Sequence, residues 1–386
     1  MSNTWKIYLL TLISFLVGTS QFAIVGILDK VAVSVGVSVS AAGQLITVFA
    51  LANAIGTPIV ILATAKTDRR RQLLMALDII LLGSILVALP GFAFLMVSYI
   101  VLGVGTGVFV VTAYATAANL APPGRQGRAM SNVSLGFSAS LVFGVPIGRV
   151  VAAAYDWKVI FWVIGFLTLL GIFAVARAIP SKQAPVPLGE QFALLKNPKI
   201  AFALGVTLFV FIGYSVMNTY IPPFLTSVMS VGERNVSFIL FALGTASLIG
   251  SKLGGFLSDR IGTARTLVGD MVVHALVLAL LSLVARTTVV AIPLLMLWAI
   301  AAWTFAPTQN FNLLSLAPEA SGIVLSLNSS FVQLGFAAGA AIGGIAVGGS
   351  VLAISWIGAT SVAIAVCVAA ISFGLARMMP KHSTER

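Results

Sequence analysis

The chain carries too little charge to cover a water-soluble domain of its length. Asp, Glu, Lys and Arg make up only 8% of its 386 residues, whereas 59% are hydrophobic and the mean hydropathy is +1.09. Water solvates a globular surface through charged and polar side chains, whereas lipid solvates apolar ones. The scarcity of charge excludes an ordinary soluble domain and indicates an integral membrane protein.

Cysteine, histidine and catalytic motifs are scarce as well. Cys367 is the single cysteine, so an intramolecular disulfide is impossible, and two histidines show no metal-ligand spacing. The sequence also lacks a phosphate-binding loop, a nucleophile elbow and a dinucleotide fingerprint. We therefore expect no metal, no cofactor and no enzyme. An intramembrane enzyme, the alternative from a different class, would need a paired acid, base or metal set at one depth.

Long hydrophobic runs are what the sequence does contain. A transmembrane helix needs about twenty mainly apolar residues, whereas strands of a membrane barrel alternate over about ten. The first run is followed by many others, so we interpret it as a retained helix rather than a signal peptide. The twelve predicted spans are residues 6–29, 41–65, 72–89, 92–117, 127–154, 158–178, 200–228, 235–257, 264–285, 289–315, 322–348 and 352–378.

The middle of the chain differs in composition. Residues 179–199, IPSKQAPVPLGEQFALLKNPK, contain four prolines and charges of both signs. We predict a cytoplasmic linker there, between an N-terminal six-helix half at residues 1–178 and a C-terminal six-helix half at residues 200–386.

The net charge of +12 is distributed unevenly across the membrane. With a cytoplasmic N-terminus, all 22 basic residues lie in or near cytoplasmic segments except Lys30, Arg149, Lys158, Arg234 and Arg286. This positive-inside bias predicts that both termini lie in the cytoplasm. It also explains the basic excess through topology, so we expect no nucleic-acid partner.

The two halves repeat each other weakly. LAPPGRQGRAMSNVSLGF from residue 120 recurs as LAPEASGIVLSLNSSFVQLGF from residue 316, and GVPIG at 144 recurs as GAAIG at 339. The offsets are close to half the chain length. Two halves with the same helix order indicate a parallel duplication about an axis along the membrane normal.

A glycine-rich charged stretch precedes the ninth span. GFLSDRIGTAR, residues 255–265, resembles the cytoplasmic loop signature of the major facilitator superfamily, and ILATAKTDRRRQLL, residues 61–74, resembles a degraded copy. The resemblance implies an all-α fold of twelve transmembrane helices in two parallel-related halves, with alternating access. A solvated turn with topogenic charge is the simpler alternative. The predicted gating residues are Gly255, Asp259, Arg260, Gly262, Arg265, Lys66 and Arg70.

The fifth span carries glycines at multiples of four. In GFSASLVFGVPIGRVVAA, residues 136–153, this spacing puts Gly136, Gly144 and Gly148 near one face, where another helix can approach closely. Pro146 removes a backbone donor and bends the helix. The segment resembles the glycine-proline motif of the superfamily's exporters, with ordinary small-residue packing as the alternative. We predict helix packing at Gly144, Pro146 and Gly148.

Further segments resemble one branch of that superfamily. SAAGQLITVFAL at 40, FLMVSYIVLGVGTG at 94, NTYIPPFL at 218 and LWAIAAWTFAPTQNFNLLSLAPEASG at 297 are similar to the arabinose-efflux and purine-efflux branch of the drug:proton antiporters. This implies a proton-coupled secondary transporter of a bacterial inner membrane that exports a small polar organic solute, a purine base, nucleoside or drug. A sugar exporter or a proton-independent facilitator is the alternative.

The usual proton-coupling pair of that branch is missing. Gln21 stands where many relatives have Glu, and Tyr99 stands where the fourth-span motif usually begins with Arg. Neither side chain titrates near pH 7. We therefore predict that any coupling to protons uses a remaining titratable group, with Asp270 first. The candidates are Asp270, His274, Asp78 and Asp29.

Simpler roles exist for these groups. Asp78 and Asp270 lie near the cytoplasmic starts of their helices, so pairing with loop arginines is the favoured alternative. Asp270 and His274 share a helix face four residues apart. We expect Arg149 to snorkel to the outer interface and Asp29 to pair with Arg149 or Lys30.

The resemblance implies substrate contacts near the middle of the first, fourth, seventh and tenth spans. Aromatic and amide side chains there suit a planar, polar, uncharged solute. Hydrogen bonds between helices are the alternative role for each. Besides the substrate and protons, we expect only membrane lipid as a partner and a monomeric protein. The predicted contacts are Gln21, Phe109, Tyr214, Asn218, Trp303, Gln309, Asn328 and Gln333.

Overall fold

Twelve long helical elements make up the part of the chain that the computed structural model describes, residues 3–64, 67–122, 126–180, 197–317 and 321–378. Three of them contain a π-helical turn. They are α1 (Asn3–Val35), α2 (Val39–Leu51, a π turn at Ala52–Gly56, then Thr57–Ala63), α3 (Arg69–Leu86), α4 (Phe92–Leu120), α5 (Gln126–Ala139, a π turn at Ser140–Gly144, then Val145–Ala154), α6 (Lys158–Ala178), α7 (Pro198–Thr219, extended by Ile221–Pro223 and a π turn at Phe224–Val228), α8 (Glu233–Ile261), α9 (Thr263–Val284), α10 (Thr288–Leu316), α11 (Ser321–Gly349) and α12 (Ala353–Met378).

Eleven of these elements are long and apolar enough to cross a membrane. The exception, α3, has 18 residues, begins with three arginines and contains Asp78. Asp68 caps its first turn by accepting a hydrogen bond from the backbone N–H of Arg71. The sequence therefore predicted the fold class and the number of helices, with α3 the least lipid-like of them. Most of the predicted linker, residues 181–196, lies outside the described residues.

The two halves repeat one packing arrangement. In the first half α1 contacts α2, α4, α5 and α6, while α3 packs against α4 and α6. In the second half α7 contacts α10, α11 and α12, while α9 packs against α10 and α12. The third helix of each half thus lies at its periphery, and the first helix lies centrally.

Glycines allow α5 to approach α1 closely. A Cβ at Gly136 would overlap the carbonyl oxygen of Thr11, and one at Gly144 would lie 2.8 Å from Thr19 Oγ1. At Gly148 it would meet Ala23 Cβ at 3.6 Å, an ordinary contact. The π turn directly before Pro146 changes the local hydrogen-bond register where proline lacks a donor.

The halves meet mainly through α2 with α11 and α5 with α8. The tightest contact lies near the start of α2, at the bundle end away from the N-terminus. There the Tyr220 hydroxyl donates to the carbonyl of Ala340 and fills the space that a Cβ of Gly43 would need. The ring of Phe143 packs on that of Phe241, with centroids 6.1 Å apart.

Candidate functional site

Two adjoining cavities lie between the halves. Their empty volumes, counting space open to solvent, are about 350 and 460 Å³. The first is formed by α1, α2, α4, α7 and α11, the second by α1, α5, α7, α8 and α10, and Val25 and Asn218 line both. No described residue that lines either cavity has a formally charged side chain. Helices of both halves thus line the two cavities, and the described lining is uncharged.

The first cavity has polar groups from three helices in its wall. Gln21 from α1, Tyr99 from α4 and Asn218 from α7 line it, and Phe49 and Phe336 are among its apolar walls. Tyr99 is fully buried, and its hydroxyl has no hydrogen-bond partner among the described residues. The sequence predicted Gln21 and Asn218 as lining residues but treated Tyr99 only as a missing arginine. That same motif position was the signal that could have placed Tyr99 here.

Aromatic rings form one wall of the second cavity. Tyr214 and Trp298 both line it and stack on each other, with centroids 5.4 Å apart and planes 16° apart. Trp303 Nε1 donates to the Tyr214 hydroxyl at 3.3 Å, and that hydroxyl donates to Asn218 Oδ1 at 3.2 Å. These bonds orient the Asn218 amide so that its nitrogen remains available as a donor.

Two other predicted contacts belong to a polar network that joins α7, α10 and α11. Gln309 donates from Nε2 to the carbonyl of Ala203 at 2.6 Å and to Thr207 Oγ1 at 3.0 Å. Thr207 donates to Asn328 Oδ1 at 2.7 Å, and Asn328 donates to Asn310. Neither Gln309 nor Asn328 lines either cavity. Their hydrogen bonds go to neighbouring helices in this conformation.

The last two predicted contacts also lie away from the cavity walls. Phe109 is fully buried inside the first half, and Gln333 is buried on α11. A helix-face count identifies residues that point inward. It does not distinguish a residue that reaches the cavity from one that meets the next helix.

A buried ion pair joins α5 to α1. Arg149 is 1% exposed and pairs with Asp29. It also donates to the carbonyl of Gly26 at 3.0 Å, beside Ile27, whose φ and ψ of −127° and 15° kink α1. The predicted pairing with Asp29 is confirmed, but snorkelling of Arg149 is wrong. The kink exposes a carbonyl, which together with Asp29 provides partners inside the bundle.

The acids of the third helices do not pair with loop arginines. Asp270 Oδ2 is buried and has no hydrogen-bond partner among the described residues. Asp78 is exposed on α3 and forms no ion pair with any of them. The favoured alternative from the sequence, pairing with loop arginines, is wrong here. A membrane-buried carboxyl without a partner is costly to ionise, because lipid and protein solvate a charge poorly.

His274 is held by a tryptophan rather than by Asp270. Its Nε2 accepts a hydrogen bond from Trp298 Nε1 at 3.0 Å, and its Nδ1 has no partner among the described residues. Since the indole N–H is only a donor, Nε2 carries no proton in this state. Because Trp298 stacks on Tyr214, this contact connects α9 to the second cavity.

The predicted gating loops differ between the halves. Asp259, Arg260 and Arg265 are exposed, and Asp259 has no ion pair with another described residue. Gly262, with φ of 90°, adopts a conformation that favours glycine between α8 and α9, whereas Gly255 meets no atom near its Cβ position.

In the first half, the Arg70 side chain donates to the carbonyl of Ala176 near the end of α6. A cation at a helix C-terminus is favourable, because the last carbonyls carry partial negative charge. The degraded copy therefore keeps a contact within its own half. Lys66 lies outside the described residues.

Comparison with known proteins agrees with this architecture. A family model, Major Facilitator Superfamily, matches residues 10–340. The chain is 44% identical over 377 residues, 97% of each chain, to the uncharacterized MFS-type transporter YbcL of Bacillus subtilis (strain 168). It is 28% identical over 347 residues, 89% of each chain, to the inner membrane transport protein YdhP of Escherichia coli (strain K12).

Solved structures support the fold. A D-xylose-proton symporter has a TM-score of 0.77 at 15% identity, covering 98% of this chain and 99% of that one. A bacterial homolog of the human lysosomal transporter Spinster has a TM-score of 0.74 at 16% identity, covering 97% of each chain. At such identities the likeness concerns the fold alone. Together with the family model and the 44% identical relative, it shows that this multi-pass membrane protein belongs to the major facilitator superfamily and is a transporter rather than an enzyme.

Proposed function

We propose that the protein exports a small, planar, polar and uncharged organic solute across a bacterial inner membrane, with purine bases, nucleosides and similar drugs first. The observation that carries this proposal is the central space between the halves, whose described lining contains amides, hydroxyls and aromatic rings but no formal charge. A phosphorylated or ionic solute would lose its hydration there without meeting an opposite charge. Aromatic faces and neutral hydrogen-bonding groups suit a planar heterocycle.

The proposed contacts are Gln21, Tyr214, Asn218 and Trp303. Gln21 and Asn218 both line the first cavity, while Tyr214 and Trp303 orient Asn218. Trp303 lines neither cavity and acts only through Tyr214. Phe109, Gln309, Asn328 and Gln333 also line neither cavity in this conformation and stay predictions.

Alternating access is the proposed mechanism, with the loop at residues 258–265 as part of the gate. If both termini are cytoplasmic, the tight contact of Gly43 with Tyr220 closes the outer end. The exposed, unpaired Asp259 then lies at the cytoplasmic end, where a gate would separate as the halves part. We propose that the boundaries of the rocking halves are residues 1–178 and 200–386, and that the protein acts as a monomer.

Proton coupling, if the transporter uses it, is proposed to involve Asp270. None of the described cavity-lining residues is an acid or a histidine, so proton and solute do not compete for one side chain. A proton drives transport only if it binds the two conformations differently. Asp270 has a partnerless buried oxygen near His274, which contacts the cavity wall through Trp298.

Overexpression with a growth screen tests this function. Cells with the wild-type protein should tolerate higher concentrations of toxic purine analogues such as 6-mercaptopurine, and inside-out vesicles should accumulate radiolabelled hypoxanthine. Asn218→Leu should abolish both effects, whereas Asn235→Leu, on an exposed residue of α8, should not. Unchanged sensitivity to all nucleobase analogues and antibiotics would contradict the proposal, and selective accumulation of arabinose would favour sugar export.

A further inference from the structure

Neighbouring rings hold the ring of Tyr99, whereas its hydroxyl forms no hydrogen bond with any described residue. Its ring makes edge contacts with Phe49 on α2 and Phe161 on α6, at centroid distances of 6.3 and 6.1 Å. Ser98, the preceding residue, donates to the carbonyl of Gly83 and ties α4 to α3. The phenol therefore has little freedom to turn elsewhere for a partner.

A buried hydroxyl without a partner is unusual in a folded protein. Leaving such a group unpaired costs as much as removing it from water, whereas phenylalanine would fill the same space without that cost. Tyr99 is fully buried, its oxygen is bonded to no other described residue, and the side chain lines the first cavity. The hydroxyl oxygen has almost no exposed surface in this conformation, so its partner is expected to approach from the cavity when the walls around Tyr99 move apart.

The other polar groups of the cavity define the chemistry of the occupant. Gln21 offers an amide with both a donor and an acceptor, and Asn218 offers a free N–H because its oxygen accepts from Tyr214. Phe22, Phe49 and Phe336 supply apolar walls between them. A flat, neutral solute with hydrogen-bonding groups on more than one edge fits this arrangement.

We propose that Tyr99 determines specificity: its hydroxyl donates a hydrogen bond to an acceptor oxygen of the neutral solute bound between Gln21 and Asn218. This inference rests on the proposed function and adds the rule that substrates carry an acceptor at one fixed edge. A solute of the same shape without that acceptor leaves the hydroxyl unpaired and binds more weakly.

The matched control is Tyr114 on the same helix. Its hydroxyl shares a hydrogen bond of 2.7 Å with Ser134 on α5 and lines neither cavity. Tyr99→Phe and Tyr114→Phe each remove one oxygen, so the two variants separate a ligand contact from a structural bond.

Two measurements decide the proposal. The first is the melting temperature of the purified, ligand-free protein, which should be unchanged or higher in Tyr99→Phe and lower in Tyr114→Phe. The second is inhibition of hypoxanthine transport in vesicles by hypoxanthine and by unsubstituted purine, which lacks the 6-oxo acceptor. Wild type and Tyr114→Phe should prefer hypoxanthine about tenfold, and Tyr99→Phe should lose that preference.

The contrary results are equally defined. A lower melting temperature in Tyr99→Phe with an unchanged preference would show a structural hydroxyl and overturn the inference. If the wild type transports no purine, the substrate class of the proposed function is wrong. The role of Tyr99 is then tested with the compound that the growth screen identifies. The Tyr99→Phe and Tyr114→Phe variants are compared for that compound and for an analogue of it that lacks the acceptor oxygen.

Discussion

At the scale of single residues, we expect breaking the buried pair of Arg149 and Asp29 to destabilise the protein strongly. Asp29→Asn would remove the carboxylate that pairs with the guanidinium of Arg149, which is 1% exposed. We expect it to lower the free energy of unfolding by on the order of 3 kcal/mol. Thermal melting of the purified protein measures this loss. Adding Arg149→Met should restore part of it, because the uncompensated charge is then gone.

The exposed Asp156, whose side chain accepts a hydrogen bond from the backbone N–H of Lys158, provides the control for this substitution. Asp156→Asn should change the melting temperature little, since exposed polar contacts contribute little. If Asp29→Asn is as stable as the wild type, the ion pair does not contribute to the free energy of unfolding.

Asp270 carries the prediction about energy coupling. Asp270→Asn keeps the size of the side chain but removes its titration, so we expect loss of pH-driven accumulation with counterflow exchange at equal pH intact. Asp78→Asn, on the exposed face of α3, should leave both intact. Loss of exchange as well would indicate a broken gate, and full pH-driven accumulation would refute the coupling role. Asp29→Asn is a poor comparison here, because it breaks a buried ion pair.

At the scale of helices, the network around Gln309 binds α7, α10 and α11 together. Gln309→Leu removes its bonds to Ala203 and Thr207, so we expect a loss of about 1 to 2 kcal/mol of stability and an unchanged KM. Gln21→Leu should do the reverse, because its amide lines the cavity and has no partner among the described residues. Melting curves and hypoxanthine uptake by inside-out vesicles measure both. A raised KM in Gln309→Leu would indicate that Gln309 contacts the substrate.

At the scale of the whole molecule, one glycine allows the bundle to close at the end away from the N-terminus, which is the outer end if the termini are cytoplasmic. A Cβ at position 43 would collide with the Tyr220 hydroxyl, so Gly43→Ala should hold the halves apart there. In a Cys367→Ser background, Ile46→Cys on the cavity wall should then react severalfold faster with an impermeant maleimide added outside. Gly205→Ala, whose Cβ would meet Val368 at an ordinary 3.9 Å, is the control. Equal labelling rates in all three proteins would exclude this steric role.

The sequence predicted the helices more completely than the residues that line the cavities. The spans follow from apolar length alone, and only α3, with its three leading arginines, departs from the lipid-like pattern. In the site, Gln21, Tyr214 and Asn218 were predicted and line the cavities, whereas Gln309 and Asn328 were predicted and bond to neighbouring helices. Whether a residue lies on the inward face of a helix depends on the local sequence. Which group it meets there, a cavity or a neighbouring helix, depends on how the helices pack.

The sequence by itself determined a twelve-helix membrane protein with two related halves, because the free energy of placing each segment in lipid depends chiefly on that segment's own side chains. Only the tertiary structure decided which polar groups are paired and which are free. Arg149 is buried because the kink at Ile27 brings a carbonyl and Asp29 to it. The Tyr99 ring packs against Phe49 and Phe161, and its hydroxyl has no partner among the described residues. Hydrogen bonds act over a few ångströms between helices far apart in the chain, so their partners are set only when the helices pack.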